Sequence, residues 1–190
     1  MSATTEELPA SYQADLEVFL GLGSEQISES HTPFLLDRED CAWFISNGNY
    51  DIFAVEVIDG KPYGQREHFM SLQAGELIFG INPGDLASGS GFLAVGSTGA
   101  RVIQVQLGSM LDAFSGSPSG RPQLASLIDN WVMRLSEGVT RNYPGRPKPT
   151  ELAIPDERIS LSPSGVASTR KGVAWIEAPS SSLVFLGTEE

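Results

Sequence analysis

The side chains that could do chemistry are few. The chain has two histidines, His31 and His68, and one cysteine, Cys41. A metal centre of the cupin type needs several histidines and a carboxylate converging inside a barrel, and His68 has Glu67 beside it but no second histidine nearby. One histidine and one carboxylate cannot fill a four- to six-coordinate site, so no metal and no cofactor are expected. Nucleophilic catalysis is no better served. There is no G-x-S-x-G elbow, and Gly89-Ser90-Gly91 lacks the strand-turn-helix setting that exposes such a serine. Cys41 opens a hydrophobic run with Trp43 and Phe44, where a thiol packs as a small apolar group. Asp37, Glu39 and Asp40 sit in a polar stretch with no apolar surroundings to raise a carboxyl pKa. No phosphate-binding G-x-x-x-x-G-K-[ST] loop occurs. What remains is the glycine-rich stretch 75–91, whose backbone N–H groups could face an anion. Arg66 and Arg101 flank it. With His68 and Glu76 they are the candidate ligand-binding residues, and no catalytic residue is expected.

Charge narrows the partners. The net charge is -12 over 190 residues. Nine acidic residues and the single base Arg38 fall within residues 1–40. Binding to nucleic acid or to an anionic membrane needs a basic face, so neither is expected. No apolar run approaches the ~18 residues of a membrane span, so no direct insertion is expected. The opening MSATTEELPA is acidic where an export signal is basic and then apolar. The lone cysteine fits a reducing compartment. The length suffices for one domain that buries roughly 70% of its extended surface without disulfides.

The elements that would position these residues are mostly strands. Residues 12–22 form a short helix or an extended arm, with Leu16, Phe19 and Leu20 at helical spacing. Residues 41–47 and 50–58 alternate as strands around Asn47-Gly48, a hairpin signal because both residues tolerate positive φ. Asp59-Gly60 marks the next turn. Residues 65–70, 77–81, 92–97 and 101–107 continue the strand pattern, with loop at 82–91 and a flexible break at 113–121. One convincing helix covers 122–137, with Pro122 at its start and Leu124, Leu127, Ile128, Trp131 and Leu135 on one stripe. Trp131 and Leu135 are core if that stripe packs on the strands, and a docking surface if it does not. A proline-rich linker spans 141–153. Strand signals resume over 154–190, where 173–186 echoes 41–54.

The order N-G-N-Y-D-I-F-A-V, then R-E-H-F-M-S-L-Q-A-G-E-L-I-F-G, then F-L-A-V-G resembles a known pattern. It is similar to the cyclic-nucleotide-binding-like, cupin-related domain at the N-terminus of NHLM-type bacteriocin-system ABC transporters. The matching positions are Asp51, Phe53, Ala54, Val55, Arg66, His68, Phe69, Gly75, Glu76, Phe79 and Gly80. The helix with Trp131 and Leu135 also looks like the family's. Cyclic-nucleotide sensors follow F-G with a Glu and then an Arg; here Ile81-Asn82 follow, and residues 82–96 contain no Arg. The resemblance thus implies the fold more than the ligand.

Together these readings give an all-β fold, a double-stranded β-helix or jelly-roll barrel with one packed C-terminal helix. Residues 1–40 are an acidic leader, 41–140 the barrel and its helix, 141–153 a linker, and 154–190 a β segment that could begin a second barrel. The resemblance implies a non-catalytic docking or regulatory module of a peptide exporter. Its partners would be the transmembrane and ATP-binding parts and the leader of a substrate peptide. Its place would be the cytoplasm, at the inner face of the membrane through the transporter. Two alternatives stand beside it: a sensor binding a small anion or cyclic nucleotide in the barrel, and a cupin-like enzyme.

Overall fold

A computed structural model describes residues 12–81, 89–141, 151–153, 160 and 167–169. It divides into two units, Met1–Leu135 and Ser136–Glu190. In the first unit, helix α1 (Tyr12–Leu22) leads into strands β1 (Ser24–Ile27) and β2 (Phe34–Leu35). Strands β3 (Cys41–Asn47), β4 (Asn49–Ile58), β5 (Lys61–Gln73), β6 (Leu77–Phe79), β7 (Ser90–Gly96) and β8 (Arg101–Gln106) follow. Helices α2 (Leu107–Ser115) and α3 (Gly120–Arg141) come last, α3 running on past the unit boundary. The second unit holds a short parallel pair, β9 (Glu151–Ala153) with β10 (Ala167–Thr169).

The strands of the first unit form two four-stranded antiparallel sheets, ordered β1-β8-β3-β6 and β2-β7-β4-β5. Their inner faces meet in one core that joins Trp43, Ile45, Ile78 and Val102 to Tyr50, Ile52, Met70, Leu72 and Ala94. The outer face of the first sheet is covered by the helices: Ala42, Phe44, Leu77, Ile103 and Val105 pack with Phe19, Met110, Phe114, Leu124 and Leu127. Strand β3 is therefore buried on both faces, which is why CAWFIS is a continuous apolar run. The second sheet covers one face only, and β4 alternates accordingly.

The expected all-β jelly-roll with a single C-terminal helix is corrected: the fold mixes α and β, with three helices beside the two four-stranded sheets among the described residues. Residues 113–121 are not a plain break. Leu107, Met110 and Phe114 recur at helical spacing, and α2 lays Met110 and Phe114 into the helix-covered core. Gly108, Ser109 and Gly116 mask that short helix in the sequence, since all three are poor helix formers. The Asn47-Gly48 hairpin forms with Gly48 at φ +79°, and Asp59 and Gly60 turn the next one at φ +51° and +71°. Within the stretch expected to be a leader, β1 and β2 are the outermost strands of the two sheets. The expected strands at 172–177 and 183–187, with the internal echo, lie outside the described residues, as do residues 1–11 of the acidic opening and most of the 141–153 linker.

Candidate functional site

His68 lies on the long strand β5, two residues after the exposed Arg66. The β4–β5 register puts Asp51 opposite Ser71 and brings His68 close to both. Ser71 donates its hydroxyl to Asp51 Oδ1 at 2.6 Å, and His68 Nε2 lies 3.0 Å from Ser71 Oγ and 3.4 Å from Asp51 Oδ1. A Ser-His-Asp relay divides its two partners between the two ring nitrogens. Here Nε2 faces both, so the cluster cannot pass a proton from serine to carboxylate through the ring. It stands on the open face of the second sheet, its ring edge-on to Phe53 at 5.6 Å.

Glu76 has a different setting. It is 8% exposed, in the turn between β5 and β6. Its Oε2 accepts the backbone N–H of Gln73 at 2.7 Å, closing that turn. Its Oε1 accepts both Nε and Nη2 of Arg134, at 3.1 and 3.0 Å. Arg134 belongs to α3, so this charged pair ties the last helix to the sandwich. No local sequence signal points to Arg134, because the partners are 58 residues apart. Arg101 starts β8 on the other sheet and donates Nη1 to Glu25 Oε2 at 3.0 Å. Ser46 donates to the other oxygen of Glu25 at 2.8 Å. These bonds, Ser46 first, hold the Glu25 carboxyl below its ordinary value. Arg66 and His68 thus lie on one sheet and Arg101 on the other, each with its own surroundings. Trp131 is 6% exposed and packs on Phe79 at 6.0 Å, with Leu135 half-buried against the same core. Of the glycine-rich stretch 75–91, residues 75–81 and 89–91 are described, and the Gly89 carbonyl accepts the backbone N–H of Val57 at 2.7 Å.

A cleft of about 570 Å³ opens between the two sheets on the side of β1 and β2. Its floor is Trp43, Leu93 and Val102, its sides Phe34 and Gln104, and Arg38 stands at its mouth. These residues come from both sheets and from the connection between β2 and β3, so no local motif announces them. The size lies within the range of small-molecule sites, roughly 300–1,000 Å³. Among the described residues, no group of three or more His, Cys, Asp or Glu is placed to hold a metal ion, and no helix is long and apolar enough to cross a membrane.

No protein-family model matches the sequence, and no curated protein matches it. Solved structures do. The c-di-GMP-responsive global regulator CLP of Xanthomonas campestris is similar with a TM-score of 0.51 at 14% identity, over 68% of this chain and 62% of that one. The reduced CO-sensing protein of R. rubrum follows at 0.48 and 12%, over 66% and 53%. A CooA mutant from Carboxydothermus hydrogenoformans stands at 0.46 and 10%, over 73% and 90%. The chain thus spans less than two thirds of the first two. The fold is shared with the Xanthomonas regulator, and this corrects the exporter resemblance: the similarity is to a regulator of gene expression, not to a transporter part. The expected partners go with it, both the exporter components with their peptide and the exclusion of nucleic acid. The exporter's docking role and its place at the membrane face fall too.

Proposed function

We propose that this chain is the effector-sensing part of a regulatory protein, working without catalysis in the cytoplasm. A small molecule binds within the sandwich, and the bound state reaches helix α3. The observation that carries this is the cleft between the two sheets, in a fold shared with a regulator that responds to c-di-GMP. The Glu76–Arg134 pair supplies a mechanical route, since a shift of the β5–β6 turn pulls directly on α3. The Xanthomonas protein is named as a regulator rather than an enzyme, which supports the non-catalytic reading.

A thermal-melting screen of the full chain tests it. Cyclic AMP, c-di-GMP and a panel of uncharged, cationic and anionic aromatic compounds are the probes. A ligand at 100 times its Kd stabilises the folded state by about 2.7 kcal/mol, a rise of several degrees in a domain of this size. A rise with at least one class is expected. A flat screen across all classes overturns the sensing role.

A further inference from the structure

We infer, resting on the sensing role proposed above, that the cleft between the sheets takes a planar aromatic molecule carrying a positive charge rather than a phosphodiester. The floor is apolar and closed: Trp43, Leu93 and Val102 are 5%, 1% and 2% exposed. Phe34 stands beside Trp43, ring centroids 5.1 Å apart and planes inclined at 39°. Trp43 is nearly enclosed, so the half-buried Phe34 is the ring a flat guest meets, with Trp43 directly behind it, and ring faces attract cations. Apart from Asp37 and Arg38, the polar side chains of the lining are neutral, the Gln26 and Gln104 amides and the Ser28 and Thr32 hydroxyls. Gln104 turns its Nε2 toward Cys41 Sγ at 3.4 Å, and its Oε1 lies 3.5 Å from Gln26 Nε2. That long contact leaves Oε1 ready to accept a stronger hydrogen bond from a guest N–H.

The mouth decides the charge. Arg38 is the guanidinium of the lining, and it donates Nε and Nη2 to the two oxygens of Asp40 at 3.3 and 3.0 Å. Asp37 adds a second carboxylate beside that one guanidinium, so Asp37, Arg38 and Asp40 together leave the mouth with a net negative charge. A phosphodiester entering there would meet Asp37 and a guanidinium already engaged, in a chain of net charge -12. An aromatic ammonium would place its ring against Phe34 and Trp43 and its charge toward Asp37.

The experiment uses the ¹⁵N-labelled full chain and four probes: tryptamine, indole, indole-3-acetate and cyclic AMP. The reporter is the Trp43 indole N–H cross-peak, assigned by its loss in Trp43→Phe. Tryptamine is expected to shift that peak with an affinity at least about 10-fold above indole-3-acetate. Asp37→Lys, an exposed position whose change leaves the core intact, reverses that order and leaves indole within about two-fold. Tighter binding of indole-3-acetate, an order unchanged in Asp37→Lys, or no shift of the Trp43 peak by tryptamine overturns the inference. If cyclic AMP or c-di-GMP alone raises the melting temperature, the sensing role stands and this ligand class falls. If nothing raises it, both fall.

Discussion

Tyr50 shows how single side chains set the response of this fold to pH. It is fully buried, and its hydroxyl donates to the Ser28 carbonyl at 2.9 Å. Burial pushes its pKa up to about 12, the Ser28 bond opposing and the charge of Glu29 adding. The unfolded tyrosine ionises near its ordinary 10, so between 10 and about 12 the unfolded chain has lost a proton that the folded one keeps. Stability is then fully present below pH 10 and declines as pH rises through that window. Tyr50→Phe is expected to cost about 1 kcal/mol at neutral pH through the lost hydrogen bond, and to flatten the alkaline decline. Urea midpoints of both proteins at neutral and alkaline pH check this; parallel declines would count against it. Asp15 on α1 works at the acid end. It is 4% exposed and accepts a hydrogen bond from Gln123 Nε2. Burial raises its pKa, and the Gln123 bond only partly offsets that. A raised carboxyl favours the fold below its ordinary 3.8, and that advantage is lost as pH rises through the folded pKa. Asp15→Asn is therefore expected to raise the melting temperature at neutral pH and to bring no gain below 3.8. The same gain at both pH values would mean that ionisation is not the cause.

At the scale of elements, the first sheet depends on close approach. Gly80 follows β6, and its N–H donates to the Cys41 carbonyl at 3.1 Å. A Cβ there would run into the backbone carbonyl of Arg38. Gly60, at the tip of the β4–β5 hairpin, has open space around it and only its φ of +71° to defend. Gly80→Ala is expected to cost roughly 2–3 kcal/mol, as overpacking against backbone does. Gly60→Ala is expected to cost about 1 kcal/mol. Equal shifts of the urea midpoint would refute the distinction. The hairpin at Asn47-Gly48 was legible because turn chemistry is local. So was the long amphipathic helix, whose stripe from Leu124 to Trp131 repeats over two turns. Helix α2 was not, because its poor helix formers are outweighed by Met110 and Phe114 reaching a core assembled from distant segments. β1 was hidden too: Ser24 to Ile27 are all exposed, so no alternation marks them, and pairing with β8 alone makes them a strand. The surroundings of the candidate site residues were not legible either. Arg66, His68, Glu76 and Arg101 stood out by type, yet type does not say which sheet or which partner each will have. The resemblance failed for a related reason: the N-G-N-Y-D-I-F-A-V pattern encodes hairpins and faces, which any protein with this sandwich needs whatever its function.

For the whole molecule, one atom reports on both stability and function. Cys41 is the only cysteine of the chain. It opens β3, the strand with β6 on one side and β8 on the other, and it is 1% exposed. Both Gln104 and Gln106 point an amide N–H at its sulfur, at 3.4 and 3.5 Å. A thiol reagent reaches that sulfur only when β3 opens, and β3 lies between the inter-sheet core and the helix-covered core. Opening it therefore disrupts both, so labelling under native conditions should follow the global unfolding equilibrium rather than a local fluctuation. Urea should accelerate labelling with the same dependence as it unfolds the chain. Gln104 also lines the inter-sheet cleft. A molecule held there binds the folded state alone and lowers the open population by the factor 1 + [L]/Kd. At ~100 times its Kd, a cleft ligand should slow Cys41 labelling about 100-fold. Labelling that proceeds at the same rate with ligand bound would place the ligand elsewhere, or show that β3 frays without the sandwich opening. The second possibility is separable, because fraying would leave labelling insensitive to urea below the unfolding transition.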